Sequence, residues 1–118
     1  MIESIWEHKG HQVRSVWVPL NSYDGISPIA QVYGVCFTKE GKVLVIKNEA
    51  WNLPGGKPEK GEIPEETLIR EVYEEATVKI SNLHLLGAFD VSFPNNPNKE
   101  NGEHYYQLRY FALVDDIE

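Results

Sequence analysis

The sequence predicts a mixed α/β fold in which a mixed β-sheet packs against one helix. Three segments rich in β-branched and aromatic residues precede a stretch with helical periodicity, and two more such segments follow it. The chain has 118 residues, of which 42% are hydrophobic, which is enough for one core and too little for two. We therefore expect a single domain over residues 1–118.

The first half of the chain contains three predicted strands. Residues 12–20, 29–38 and 42–47 are dense in Val, Ile, Phe, Tyr and Trp and are bounded by turn residues. Only the short segment KEG separates the second strand from the third, and its Gly41 can adopt a positive φ. This spacing predicts an antiparallel hairpin.

A loop and then a helix follow these strands. The hydrophobic pattern stops at residue 48, and Pro and Gly recur until residue 64. A helix is predicted over residues 64–76, because proline is tolerated in a first turn and the following acidic residues complement the helix dipole. The hydrophobic positions predicted to face the sheet are Leu68, Ile69, Val72, Tyr73 and Ala76.

Two further strands complete the predicted sheet. Residues 83–93 and 103–115 resume the β-rich pattern. The segment between them, PNNPNKENG, is too rich in Pro and Asn to pair regularly, so we expect it to be a loop.

Charge and composition exclude several classes of function. The formal net charge of −7 argues against a broad basic surface for nucleic acid or anionic membrane. The single cysteine, Cys36, excludes an internal disulfide, and its hydrophobic neighbours predict a buried thiol in a reducing compartment. The charged N-terminal segment does not resemble a signal peptide, and no apolar run reaches the roughly 20 residues of a membrane span. These features predict a cytoplasmic protein without a membrane partner.

The predicted helix carries an acidic face. Glu71, Glu74 and Glu75 fall on one arc, where like charges four residues apart destabilise a helix. Arg70 alone cannot neutralise all three, whereas a divalent cation could, because hard cations prefer carboxylate oxygens. The simpler interpretation is a solvated acidic surface, and the residues around the helix decide between the two.

Residues 51–78 resemble the Nudix box, the signature of the MutT-like Nudix hydrolases. The preceding segment WNLPGG is similar to the family's approach to the box, and the order of strands, loop and helix matches the family's topology. The residues that stand at the fixed positions of the signature, with both spacers intact, are Gly56, Glu62, Arg70, Glu71, Val72, Glu74, Glu75 and Val78.

The chain departs from the family pattern in two places. Thr77 replaces the glycine that follows the last glutamates, and a β-branched residue is poorly suited to the left-handed conformation that ends many helices. We therefore expect a different helix exit. The sequence also stops at Glu118, where the family continues into another helix, which predicts a fold lacking the usual C-terminal helix and one sheet face that is exposed or covered by a partner chain.

The resemblance implies hydrolysis of a nucleoside diphosphate linked to another group, by attack of water on a phosphorus of the diphosphate. It implies Mg²⁺ as cofactor, with Mn²⁺ as a possible substitute. By analogy with the family, Glu71, Glu74 and Glu75 are the catalytic metal ligands, Glu71 is also the favoured general base, and the carbonyl of Gly56 joins the metal shell.

Two further box features have structural interpretations. Gly55 and Gly56 lack side chains, so their backbone can approach a ligand closely. Glu62 and Arg70 are expected to hold the loop against the helix through a charge-assisted contact. The alternative for this pair is two ordinary surface charges.

Three candidates outside this core of the motif stay open. Glu103, beside a predicted strand, is the candidate for a fourth metal-binding acid, against the alternative of a surface glutamate. Lys57 could contact a substrate phosphate. Trp51 could stack on a base, although aromatic residues in strands more often pack in the core.

Other functional classes compete with an enzyme. A non-catalytic Nudix-like domain that binds a nucleotide as a sensor is the main alternative, and a structural domain with an incidental acidic helix is the other. The substrate is expected to be a small nucleotide, but nucleoside triphosphates, ADP-ribose, sugar nucleotides and dinucleoside polyphosphates all remain candidates. A homo-oligomer is also possible.

Overall fold

A computed structural model describes residues 2–8 and 10–115, which form eight strands and one helix. The prediction of a mixed α/β fold is confirmed. The elements in chain order are β1 (Ile2–His8), β2 (His11–Pro19), β3 (Ile29–Phe37), β4 (Ile46–Asn48), β5 (Ala50–Asn52), β6 (Gly55–Gly56), α1 (Pro64–Ala76), β7 (Ile80–Ser92) and β8 (His104–Val114).

Six of the strands form one mixed sheet in the order β1-β2-β7-β8-β3-β6. The neighbours pair antiparallel except β3 and β8, which run parallel in the centre. Strands β4 and β5 form a separate antiparallel hairpin. The register aligns Gly55 of β6, Tyr33 of β3 and Arg109 of β8 in one row across the sheet.

Helix α1 has the predicted bounds but buries a narrower face than predicted. Leu68 and Val72 are fully buried against the sheet together with Thr67, whereas Ile69 and Tyr73 are 44% and 51% exposed. Each exposed residue follows a buried one by a single position, and one position turns a helix by about 100°. The prediction that Ile69 and Tyr73 face the sheet is therefore wrong.

The buried hydrophobic residues lie on both faces of the sheet. The larger cluster lies under α1 and includes Val32, Cys36, Leu108 and Tyr110. The burial of Cys36 confirms the predicted core thiol. A smaller cluster around Val13, Val91, Phe93 and Tyr105 is centred on β2, β7 and β8.

The strand predicted over residues 42–47 is only partly formed, because Val43, Ile46 and Lys47 pair while residues 42, 44 and 45 do not belong to a strand. Val43 forms one antiparallel bridge to Phe37, and regular pairing resumes only at Ile46, in the β4–β5 hairpin. The turn itself is as predicted, with Gly41 at φ 80°.

The edge of β3 explains why the hairpin stays short. Gly34 N–H donates to the carbonyl of Pro54 at 3.0 Å, and Val32 pairs with Gly56. The segment 54–56 therefore occupies the part of the edge that a longer hairpin would need. The chain between the two segments folds into β4 and β5 instead.

Strand β1 is an element that the sequence did not predict. It pairs along its length with β2, from Ile2 opposite Trp17 to His8 opposite His11. Ile5 and Trp6 are about half exposed, so this edge strand does not have the buried hydrophobic face that a strand prediction depends on.

The end of α1 differs from the expectation for Thr77. This residue adopts the left-handed conformation, with φ 57° and ψ 34°, and its N–H donates to the carbonyl of Tyr73 at 2.9 Å. The expected change of helix exit is therefore wrong. The left-handed helix end that glycine commonly provides is formed here at a strain of about 1 kcal/mol, because a β-branched residue disfavours positive φ.

Among the described residues, no helix is long and apolar enough to cross a bilayer. Within residues 2–8 and 10–115 the helix is α1. The expected lack of a C-terminal helix concerns the end of the chain, where residues 116–118 lie outside the described residues.

Candidate active site

The loop before α1 is held to the helix by an ion pair between Glu62 and Arg70. Arg70 Nε donates to one oxygen of Glu62 at 2.6 Å, and Nη2 donates to the other at 3.1 Å. Glu62 also accepts from the hydroxyl of Thr67 and the N–H of Glu59. The hydrogen bond from Arg70 is the main reason that the pKa of Glu62 falls to about 2. This geometry matches the predicted structural contact between Glu62 and Arg70.

Arg70 also reaches the acidic face of the helix. Its Nη1 donates to Glu71 at 2.7 Å and to Glu74 at 3.2 Å, and lies 3.3 Å from Glu59. Nη2 donates to the carbonyl of Lys57 at 3.1 Å. One guanidinium therefore ties the loop and two of the three helix carboxylates into a single network.

The glycine pair forms a cradle against the glutamates. A Cβ on Gly56 would lie 2.6 Å from the carboxyl carbon of Glu71, so only glycine leaves room for that carboxylate. A Cβ on Gly55 would lie 2.2 Å from the carbonyl oxygen of Val32, and Gly55 has φ 150°. A side chain at Gly55 would push the loop away from β3, and one at Gly56 would displace the Glu71 carboxylate.

Glu75 completes the arrangement by binding the same cradle. Its Oε1 accepts a hydrogen bond from Gly55 N–H at 2.8 Å. Burial raises the pKa of Glu75, and the neighbouring Glu71 and Glu74 raise it further, against the opposing effect of the Gly55 hydrogen bond. The cluster thus has too little positive charge beside Glu75 to balance this carboxylate.

The donor chemistry of this cluster fits a hard divalent cation. Three carboxylates lie along one face of α1, and the space left by Gly56 lets the Glu71 carboxylate pack against the loop. Within residues 2–8 and 10–115, however, no three acidic, histidine or cysteine side chains are already arranged as a ligand set. Since Arg70 contacts both Glu71 and Glu74, a cation would have to share or replace that contact.

A cavity of about 530 Å³ adjoins the cluster at Gly55 and Glu75. Arg109 lies in its wall, stacked on Tyr33, and Trp51 lies at the β4–β5 hairpin with 66% of its surface exposed. The residues that line the cavity are Tyr33, Trp51, Asn52, Leu53, Gly55, Glu75, Gln107 and Arg109. The cavity therefore joins one helix carboxylate to an aromatic wall.

The candidates outside the cluster have different surroundings. Lys57 forms an ion pair with Glu100 of the β7–β8 connection. Glu103 accepts a hydrogen bond from Asn95 N–H at 3.3 Å within the same connection. No contact in the described part of the chain joins Glu103 to the helix carboxylates, and the acid that this connection brings to the box loop is Glu100.

The sequence did not single out Tyr33, Gln107 or Arg109. Gln107 and Arg109 are two residues apart on β8 and so share one face of the sheet. The pattern could have indicated that shared face, but only the parallel pairing of β8 with β3 brings it to the glycine pair.

The chain is similar to known proteins over most of its length. The model of the NUDIX domain matches residues 27–118. Diphosphoinositol polyphosphate phosphohydrolase 3-alpha of Mus musculus is 33% identical over 90 residues, covering 71% of this chain and 52% of the relative. The human 3-beta enzyme is 34% identical with the same coverage. The chain thus spans about half the length of the curated relatives it matches.

Two solved structures support the fold. A mutant of the Bacillus subtilis pyrophosphohydrolase BsRppH superposes with a TM-score of 0.73 at 24% identity, covering 100% of this chain and 68% of that one. A UDP-X diphosphatase superposes with a TM-score of 0.58 at 26% identity, covering 76% of this chain and 43% of the other. The first of these likenesses is evidence for the fold alone.

Proposed function

This chain belongs to the Nudix hydrolase family, and on that basis we propose that it hydrolyses a nucleoside diphosphate linked to another group. Water attacks a phosphorus of the diphosphate, and a phosphorus–oxygen bond of the anhydride breaks. The observation that carries the proposal is the seating of Glu71 against Gly56, beside the two other carboxylates of the helix face.

The proposed cofactor is Mg²⁺, with Mn²⁺ as a substitute. Glu71, Glu74 and Glu75 would hold it, together with the backbone carbonyl of Gly56. When bound, such a cation neutralises phosphate charge and lowers the pKa of bound water.

The protein groups have separate roles in this proposal. Glu71 accepts the proton of the attacking water, since the hydrogen bond from Arg70 and the space left by Gly56 position its carboxylate. Glu75, bound to the N–H of Gly55, faces the cavity and orients the diphosphate end of the site. Arg70 and Glu62 position the loop and do not contact the substrate.

Further residues extend the proposed site. Trp51 lines the cavity and offers a stacking surface, and Lys57 would contact phosphate after exchanging its partner Glu100. Glu103 remains a prediction for a fourth acid, one that requires the β7–β8 connection to move towards the helix. The proposed location of the reaction is the cytoplasm, and a homo-oligomer is compatible with the proposal.

A non-catalytic nucleotide-binding domain is the second candidate. One observation favours it, because Arg70 already neutralises part of Glu71 and Glu74 and so competes with a cation. This candidate predicts nucleotide binding without product release.

A substrate panel tests the proposal. Sugar nucleotides, ADP-ribose, nucleoside triphosphates, dinucleoside polyphosphates and a diphosphoinositol polyphosphate would be incubated with Mg²⁺ and with Mn²⁺, and products quantified by chromatography. We expect release of a nucleoside monophosphate from at least one nucleotide. Glu40→Gln, in the exposed β3 turn, is the matched control for loss of charge. Binding without turnover across the panel would favour the second candidate.

A further inference from the structure

Arg109 is a half-buried cation with unusual surroundings. Its guanidinium carbon lies 4.6 Å from the ring centroid of Tyr33 and 5.1 Å from that of Phe89. Among residues 2–8 and 10–115, no carboxylate forms an ion pair with it, and the hydrogen bond it makes there is from Nη1 to the carbonyl of Leu108 at 3.2 Å. Its other N–H donors are therefore available to a ligand.

The two rings restrict how a ligand can approach Arg109. Contact with aromatic faces restrains the plane of a guanidinium, and its N–H donors all point outward in that plane. A partner must then offer two acceptors side by side along an edge, the geometry of fork-like recognition.

The distance from the carboxylates suits the far end of a nucleotide. Arg109, Tyr33 and Gly55 lie in one row on neighbouring strands, so the backbone of Arg109 lies about 10 Å from Gly55, twice the strand spacing. Gly55 binds Glu75, where the diphosphate is proposed to lie. A group at Arg109 is therefore separated from the diphosphate by the length of a nucleoside.

The other walls of the cavity provide stacking and hydrogen-bond groups. Trp51 presents an exposed ring, and Asn52 follows it at the end of β5. The amide nitrogen of Gln107 donates to Gln31 at 2.6 Å, which leaves the Gln107 oxygen as an acceptor. A planar base with both donors and acceptors matches these groups.

Resting on the proposed function, we propose that Arg109 selects a 6-oxopurine such as guanine as the base of the substrate. Guanine presents O6 and N7 as adjacent acceptors, which an arginine fork binds, and its N1–H and amino group are donors that the Gln107 oxygen can accept from. Adenine places an amino group where O6 would be and so opposes an arginine donor. A highly phosphorylated inositol would need several cations, whereas Arg109 is the one basic residue that lines the cavity among the described residues.

The inference is tested with two substrates that differ only in the base. Wild type, Arg109→Lys and Arg109→Gln would be assayed with GDP-glucose and ADP-glucose, and kcat/KM compared. We expect wild type to prefer the guanine substrate at least tenfold. Arg109→Lys keeps the charge but loses the fork, and we expect its preference to fall below threefold. Arg14→Lys, at the exposed ion pair with Glu3, is the matched control and should keep the wild-type ratio.

A binding measurement separates this inference from the proposed function. Binding of GMP and AMP in the presence of chelator would be followed by quenching of tryptophan fluorescence, to which the exposed Trp51 should contribute most. If GMP binds more tightly than AMP, if this difference depends on Arg109, and if neither sugar nucleotide is hydrolysed, the inference about the base stands and the proposed hydrolase activity is refuted. Turnover with equal use of both bases, or an unchanged preference in both Arg109 variants, would overturn the inference and leave the hydrolase standing.

Discussion

Arg70 and Arg109 belong to two regions that meet at the Gly55–Gly56 pair, and they have opposite surroundings. Arg70 contacts four carboxylates and a backbone carbonyl, whereas Arg109 lies against two aromatic rings and has no carboxylate partner in the described part of the chain. An arginine whose donors are occupied fixes the fold around it. An arginine whose donors remain available is suited to recognise a ligand.

The difference extends to the regions around the two residues. The contacts of Arg70 join residues at most 13 positions apart, as in its bond to Lys57. The cavity around Arg109 instead combines β3, β5 and β8, which are distant in the sequence. The contacts around Arg70 are therefore set by residues close in the sequence, whereas the cavity around Arg109 is set by the order in which the strands pair.

The largest effect is expected from Glu71→Gln, which would break the proposed chemistry on the Arg70 side. Removing the proton acceptor and one ligand charge should lower kcat by a hundredfold or more. The melting temperature should change little, because the relief of repulsion on the acidic face offsets the weaker contact with Arg70. Steady-state kinetics and thermal unfolding check both parts, and near-normal turnover would refute the role of Glu71.

Replacing each arginine by lysine sharpens the comparison itself. Arg70→Lys loses the two-point contact with Glu62, which should lower the free energy of unfolding by on the order of 2 kcal/mol. Arg109→Lys should lower it by less, since no ion pair with a described residue is lost. Urea denaturation of the two variants measures the difference. A greater loss for Arg109→Lys would contradict the assignment of Arg70 as the structural arginine.

Thr77→Gly should have a smaller effect of opposite sign. Glycine adopts the left-handed conformation of residue 77 without strain, which should raise the free energy of unfolding by about 1 kcal/mol. The greater conformational freedom of glycine in the unfolded chain offsets part of this gain. Thr77→Ala, which keeps a Cβ, is the matched control and should not give this gain. A destabilised Thr77→Gly variant would contradict the prediction, since the strain at residue 77 would then be smaller than the entropic cost of glycine in the unfolded chain.

The smallest effect is expected in acid and concerns Glu62. Its pKa is lowered on folding, so its stabilising contribution is complete above its ordinary pKa and is lost as the pH falls towards about 2. The difference in stability between wild type and Glu62→Gln should therefore shrink as the pH is lowered through this range. Denaturation curves at neutral and acidic pH measure it, and a constant difference would refute the ion-pair explanation.

The local half of the site was predictable from the sequence. The resemblance of Gly56, Glu62, Arg70 and Glu71 to the Nudix signature predicted the loop–helix unit, whose contacts join residues close in the sequence. The bounds of α1 were predictable because they also depend on residues close in the sequence. The left-handed Thr77 was not, since its usual preference is overridden by the hydrogen bond to Tyr73.

The remainder required the sheet register. Arg109 stands between hydrophobic residues on β8, and its sequence context gives no indication of the strand that lies beside it. The β4–β5 hairpin was missed because residues 54–56 compete for the edge of β3, a contact made by backbone groups and not by a side-chain pattern. The parts of the structure that depend on long-range backbone pairing were therefore the parts that the sequence did not predict.

The most direct test of the central claim is removal of divalent cations during turnover. Hydrolysis of a substrate found in the panel would be followed with Mg²⁺, then with excess chelator, and then after Mg²⁺ is restored. Arg70 neutralises only part of the negative charge of the three helix carboxylates, so a cation is needed where they meet the substrate. We therefore expect activity to vanish with chelator and to return with Mg²⁺. Full turnover in excess chelator would contradict the assignment of Glu71, Glu74 and Glu75 as a cation-dependent hydrolytic site.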